Sequence, residues 1–382
     1  MKYITKYSSL AGYKAAKAHR GYPNVSLVEG ETNVRYNMEY VADNPLTFTA
    51  QEDGQFKFTI AFGSASLSYS LDSGETWSVL SSNTWSPTVT SGSTIQWSGN
   101  MTTPVTFAST GRFAASGKPS SLLADEDVPE ASRMFENCTG LTDAIALELT
   151  ATTLTNGCYQ YMFNGCTSLT AAPQLPATTL ANRCYVSMFF NCTSLTTAPA
   201  LPATTLADNC YSYMFRGCTS LTTAPALPAT TLVESCYEQM FNGCTSLTAT
   251  PVMTIVELSG IQKQCRYMFK GCSSMTTSNI TINATNTVTA CYEEMFNGCT
   301  SLRNAPALPA TVIASWAYYQ MFNGCSNINS MTCLATEGFD TYNAVTNWTN
   351  GVAANGTFTK AANATWPTGA SGIPQGWTVV DA

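Results

Sequence analysis

Fifteen cysteines and a single histidine are the side chains with the widest chemical range in this 382-residue chain. Six pairs of cysteines are regular: Cys158/Cys166, Cys184/Cys192, Cys210/Cys218, Cys236/Cys244, Cys265/Cys272 and Cys291/Cys299. Tetrahedral metal sites draw on cysteines separated by two to four residues, and none of these pairs is so close. Most are eight positions apart, which on a helix spans about 12 Å. That is well beyond the roughly 4.4–6.8 Å between Cα atoms that a disulfide bridges. The spacing therefore predicts a ladder of small buried thiols, with disulfides between repeats as the alternative. The odd count and the Ala317 that replaces one rung favour thiols.

His19 stands in an Ala/Lys-rich stretch and reads as a surface residue. Carboxylates adjoin at Glu293/Glu294 and in Asp125/Glu126/Asp127, without a convergent partner, and read as solvated. The chain has no GxSxG, HExxH or phosphate-loop motif. No catalytic, metal or cofactor site is expected, and the chain does not read as an enzyme.

Composition narrows the partners. Only 11% of residues are charged, the net charge is −7 and the pI is about 4.8. Nucleic acids and anionic membranes call for clustered Lys and Arg, so neither is expected. There is no run of 18 apolar residues, as a membrane-crossing helix requires. The N-terminal stretch MKYITKYSSLAGYKAAKAHR lacks the apolar core of a secretory signal, which predicts a product made in a cytoplasm and not exported by the general route.

The elements that hold the cysteines repeat. Met-Phe recurs at Met134, Met162, Met188, Met214, Met240, Met268, Met295 and Met321, at steps of 26 to 28 residues. The line CTSLTTAPALPATTL is written identically at 192–206 and 218–232. A period in this range with fixed Leu positions marks a leucine-rich-repeat solenoid, whose units bury their apolar stripes only by stacking. In one unit Cys210, Tyr211, Met214, Phe215 and Cys218 line up as one stripe of a short helix. Gly217 falls where that helix would end. Leu221, Thr223, Pro225 and Leu227 alternate as a short strand does, and the Pro pair of APALP then turns the chain. Strands stack about 4.8 Å apart and helices about 8–10 Å, so the solenoid is expected to curve with its strands inside.

The fold class expected is α+β: eight leucine-rich repeats of about 26 residues over 133–335, preceded by a small antiparallel β-sandwich over 41–118. Residues 1–40 read as an attachment or oligomerisation arm, 119–132 as an acidic linker and 336–382 as a C-terminal cap. Scaffold letters stay fixed between repeats while the two residues before each Met change. Gln160, Tyr161, Ser212, Tyr213, Glu238, Gln239, Glu293, Glu294, Tyr319 and Gln320 are thus candidate ligand-facing positions. Unconstrained solvent positions would vary in the same way. Trp348, Trp366 and Trp377 of the cap are candidate sugar-binding aromatics, or the core of that cap.

The units MFxGCTSLTxAPxLPATTLA resemble the BspA-like leucine-rich repeats of Bacteroides-type bacteria, mostly surface proteins implicated in adhesion. The flanks YPNVSLVEGETNVRYN, PLTFTAQEDGQFKFTI, SYSLDSGETW and ASGIPQGWTVVDA resemble modules of structural proteins of crAss-like Bacteroides phages. That resemblance implies a non-enzymatic head-fibre, tail-fibre or decoration component of a virion. Its N-terminal 118 residues would dock on other virion proteins, as a homo-oligomer (dimer or trimer). Its solenoid would meet a host-surface protein or glycan. A bacterial cell-surface adhesin is the alternative.

Overall fold

The computed structural model describes residues 44–60, 66–99, 101–123 and 131–382. The expected arm over 1–40, with His19, and the Asp125/Glu126/Asp127 cluster lie outside the described residues.

Seven strands come first: β1 (Leu46–Ala50), β2 (Phe56–Ile60), β3 (Ser66–Ser70), β4 (Ser78–Ser81), β5 (Thr94–Ser98), β6 (Val105–Ser109) and β7 (Phe113–Gly117). Their period-two patterning is direct: Leu46, Phe48 and Ala50 of β1 are buried, while Thr47 and Thr49 are half-buried. Five of the seven form an antiparallel sheet of order β4-β3-β5-β1-β7, which β8 (Leu141–Leu147) extends in parallel along β7. The strands β2 and β6 pair separately. Phe48 joins the two layers, its ring 5.3 Å from Phe56 and 5.0 Å from Phe107. A β-sandwich is predicted over 41–118, but the core here does not end at 118. Phe48 and Phe107 lie 5.8 and 6.1 Å from Phe135 in the first repeat, so these strands close the N-terminal end of the solenoid.

The turn between β3 and β4 is held by one carboxylate. Asp72 accepts from the Ser70 hydroxyl at 2.7 Å and from the N–H and hydroxyl of Thr76. These bonds favour the charged form and hold Asp72 down to about 2.

The repeats form a strand-rich solenoid of nine coils with almost no helix. The helix expected from Cys210 to Cys218 is absent, and the same stretch in every coil is a run of turns. In the second coil Gly157, Tyr161 and Gly165 have φ of 69°, 58° and 74°. A left-handed residue at every fourth position cannot continue an α-helix. The backbone bonds then alternate. Gln160, Met162, Asn164 and Cys166 donate to carbonyls three residues back, Gly157, Tyr159, Tyr161 and Phe163, at 3.0–3.2 Å. Between them Tyr159, Tyr161, Phe163 and Gly165 donate to Cys184, Val186, Met188 and Phe190 of the next coil at 2.8–3.0 Å. The stripe i, i+1, i+4, i+5, i+8 has period four, close enough to 3.6 to imitate a helix. The glycines read as helix ends occupy one of the three left-handed ranks. Asn137 and Asn191 share that rank with Gly165 and Gly217, since Asn also tolerates this conformation.

Side chains stack in register along the coils. Successive Phe rings from Phe135 to Phe322 lie 5.3–5.6 Å apart with nearly parallel planes. Tyr159, Tyr185, Tyr211 and Tyr237 stack likewise at 5.7–6.0 Å. One coil breaks the pattern: after left-handed Lys263, Gln264 fills the cysteine rung and Cys265 the tyrosine rung, Cys265 donating to Cys291 in the next coil. The seven-residue spacing of Cys265 and Cys272 follows from that exchange. With no helices on the turn arc, the helix-against-strand spacing on which the expected curvature rests does not arise.

On the other arc the prolines of APALP withhold N–H donors, and pairing there is reduced to isolated bridges such as Thr153 to Thr179 to Thr205. True strands appear beyond the second proline of the 218–232 line and where Thr254 and Thr281 stand at that proline's place. Thr231–Leu232 (β9) pairs with Glu257–Leu258 (β11), and Met253–Ile255 (β10) with Ile280–Ile282 (β12), all in parallel. The ladder continues past 335. Asn343, Asn347 and Gly351 are left-handed, and Tyr318, Gln320, Phe322 and Gly324 donate to Ala344, Thr346, Trp348 and Asn350. The predicted cap thus begins as a ninth coil, with Trp348 in the methionine rank. A parallel sheet of β13 (Ser330–Cys333), β14 (Thr357–Lys360) and β15 (Thr378–Asp381) follows.

Two tests follow from this geometry. A Cβ on Gly217 would sit 2.2 Å from Asn191 Oδ1, whereas one on Gly243 would meet nothing nearer than 3.9 Å. Both substitutions by Ala carry the left-handed strain of about 1 kcal/mol. Gly217→Ala must also displace the Asn191 amide and is expected to lose more stability in urea unfolding than Gly243→Ala; a smaller loss would contradict the stacked arrangement. The folded-state pKa of Asp72 lies below its unfolded value, so its contribution is present above about pH 4 and is lost as pH falls towards 2. The stability of Asp72→Asn should depend less on pH across that window than that of the parent chain, read by thermal melts.

Candidate functional site

The turn arc presents the residues that vary between coils. Its third position holds Gln160, Val186, Ser212, Glu238, Arg266, Glu293 and Tyr319, and its left-handed fourth position holds Tyr161, Ser187, Tyr213, Gln239, Tyr267, Glu294 and Gln320. The ten candidate residues therefore share one face. They are not all open to a ligand. Ser212, Glu238, Glu293 and Glu294 are buried, and the rest are half-buried.

The three acids among them belong to a network across four coils. Arg266 donates from Nε to Glu293 Oε2 at 2.9 Å, and from Nη1 to Glu238 Oε1 at 3.4 Å. Its Nη2 reaches both the Tyr267 hydroxyl, at 2.7 Å, and Glu293 Oε1, at 3.2 Å. Tyr267 completes the ring by donating to Glu293 Oε1 at 2.9 Å. Lys270 pairs with Glu294, which also accepts from Asn297 Nδ2 at 2.9 Å. Asn297 and Tyr319 both bond to Gln320. Partial burial, and then the hydrogen bond to Glu293, push the Tyr267 phenol up to about 12. Burial pulls Arg266 down, but Glu293 outweighs it and leaves the guanidinium above its ordinary value.

Arg266, Tyr267, Lys270 and Asn297 are absent from the positions singled out in the sequence. Arg266 stands in the same rank as Glu238 and Glu293, and a lone cation between two acids of one rank was the available signal. Elsewhere on the face cations lie over rings: Arg133 is 4.3 Å from the Tyr161 centroid and Arg216 5.4 Å from that of Phe190. Among the described residues no group of three or more His, Cys, Asp or Glu could hold a metal ion. The carboxylates of the face are consumed by Arg266, Lys270, Tyr267 and Asn297, which is the chemistry of a locked polar surface.

The three tryptophans differ from the sugar-binding expectation. Trp348, Trp366 and Trp377 are buried. Trp348 stacks on Trp366 at 5.2 Å and donates to the Gly372 carbonyl, while Trp377 donates to Ala353. Their faces pack the end of the solenoid and are closed to a sugar ring.

Stacked coils with fixed apolar rungs and one variable face define a leucine-rich-repeat binding or scaffold protein. The chain belongs to the family described as BspA type Leucine rich repeat region, matched in six copies over residues 131–258 and 234–343, more than half of its length. No curated protein matches the chain. Repeats of this type fit an adhesin-like surface protein.

Removing Arg266 strands two acids on a face where Glu293 is 5% exposed. Arg266→Met is expected to cost about 2–3 kcal/mol in chemical unfolding, toward the low end for a broken buried pair. Glu238→Gln, which touches only the longer 3.4 Å contact, should cost less than about 1 kcal/mol. Equal effects would count against the network.

Proposed function

We propose that this chain is a non-enzymatic display protein of the adhesin-like class, and that its particular setting is a bacteriophage virion, as a head-fibre, tail-fibre or decoration component. The observation that carries the display role is the BspA-type solenoid, with its buried rungs held constant and a single face left to vary. Such a scaffold fixes the position of its surface groups without ordering them at the moment of binding, which lowers the entropic cost of a contact. Many copies on one particle would convert weak contacts into avidity. The virion setting rests on the resemblance of the flanking segments to phage structural modules. In it residues 1–118 dock on other virion proteins, as a homo-oligomer, and the solenoid meets a host-surface protein or a glycan.

The bacterial cell surface is a second setting, with which adhesin-like repeats are compatible. A mass-spectrometric inventory of purified phage particles from Bacteroides cultures separates the two. Recovery of these peptides at a fixed copy number per particle is expected. Absence from particles, with recovery in the bacterial outer-surface fraction, would overturn the virion setting and leave the display role standing.

A further inference from the structure

All fifteen cysteines are buried thiols, and thirteen of them stand in two ranks along the solenoid axis, Cys265 taking a tyrosine rung and Cys333 lying in β13. The ranks differ. In the first, Ala317 and Ala344 take the place of cysteine in the last two coils, both fully packed. A small apolar residue suffices there. In the second, a cysteine stands in eight successive coils, from Cys138 to Cys325, and its sulfur has a specific task. The thiol of Cys166 donates to the Phe135 carbonyl at 3.0 Å, that of Cys192 to Phe163 at 3.1 Å and that of Cys218 to Phe189 at 3.0 Å. The series runs on through Cys325, which donates to Phe296 at 3.0 Å. Each such carbonyl belongs to the preceding coil and also accepts a backbone N–H, so the thiol fills its second lone pair inside a dry core.

A disulfide cannot make that donation. Neighbouring coils lie about 4.8 Å apart, within the Cα range that a disulfide spans, and in an unfolded chain loop closure brings thiols of different repeats together. Once packed, the thiols are closed to solvent. Burial pushes Cys244 and Cys325 up to about 12 and Cys192 and Cys218 well above the ordinary range. Exchange requires a thiolate in contact with its oxidant, and the folded core offers neither.

We propose that the thiol ranks make this fold redox-gated in one direction: the chain reaches its native state only while its cysteines are reduced, and afterwards tolerates an oxidising environment. In the unfolded chain two cysteine thiols react with a small-molecule disulfide. One Cys–Cys S–S bond forms and the reagent's S–S bond breaks, with two electrons and two protons passing to the reagent, which leaves as two thiols. Each bridge within the second rank removes two thiol donors from the Phe carbonyls, and one between distant coils ties together segments that the stack holds apart. A surface role is then open to this chain only if folding precedes exposure, whichever particle or cell carries it.

The test is cell-free synthesis of the full chain in parallel glutathione buffers, one reduced and one oxidised, with a cysteine-free reporter to normalise translation. Soluble, protease-resistant product is expected to fall at least tenfold in the oxidised buffer. Protein made in the reduced buffer and then moved to the oxidised one should keep fifteen alkylatable thiols by intact mass after denaturation. The same protein held unfolded in guanidinium should lose most of them. Equal yields in the two buffers would overturn the gate. So would loss of thiols from the folded protein as fast as from the unfolded one.

Discussion

In the arc from Gly157 to Cys166 every second N–H leaves its own coil and donates to a carbonyl of the next. That bond organises the rest of the molecule. It needs the peptide planes to alternate between pointing around the coil and along the axis, which is why left-handed residues recur at Gly157, Tyr161 and Gly165. The non-glycine ones each cost about 1 kcal/mol or more, and the axial bonds together with the burial of Cys158, Tyr159, Met162 and Phe163 offset that strain. Equal axial spacing places like residues over like residues, so the Phe, Tyr and Cys ranks are stacks. None of this is available to one repeat alone, because its axial donors would have no acceptor.

The same constraint shapes the variable face. A side chain there lies one hydrogen-bonded step from its counterparts in the coils before and after. Polar residues on the face consequently pair along the axis, as Glu238, Arg266 and Glu293 do. Replacing such a trio by apolar residues is often neutral for stability; what the trio adds is a fixed arrangement of charge. The face is therefore variable in sequence and rigid in place. The rungs are less forgiving: where Gln264 takes the position of a cysteine, its Nε2 finds the Ser259 carbonyl while its Oε1 is left without a partner.

Much of this order is legible in the letters, and the failures have physical causes. The Met-Phe period and the buried rungs follow from periodicity. A helix is read between Cys210 and Cys218 because periods of 4 and 3.6 bury the same residues over nine positions. The Asn that alternates with Gly at Asn191 and Gly217 speaks for a left-handed position over a helix end. The ninth coil is hidden because Trp348 and Thr349 replace Met and Phe, and only the backbone bonds reveal the equivalence. The candidate face is found by its variability, but burial within it is not, since axial partners 23 to 28 residues away are invisible to a local reading.

The two identical lines at 192–206 and 218–232 carry a last consequence. Each coil touches only the coil before and the coil after, and the two ends of the stack are closed by different structures. A whole coil can accordingly be inserted or deleted between them without redesigning either end. Each such change alters the length of the stack by about 4.8 Å and leaves every rung with a like neighbour. The molecule is a ruler whose length is counted in repeats, and a coding sequence that repeats itself is the kind that recombination lengthens and shortens.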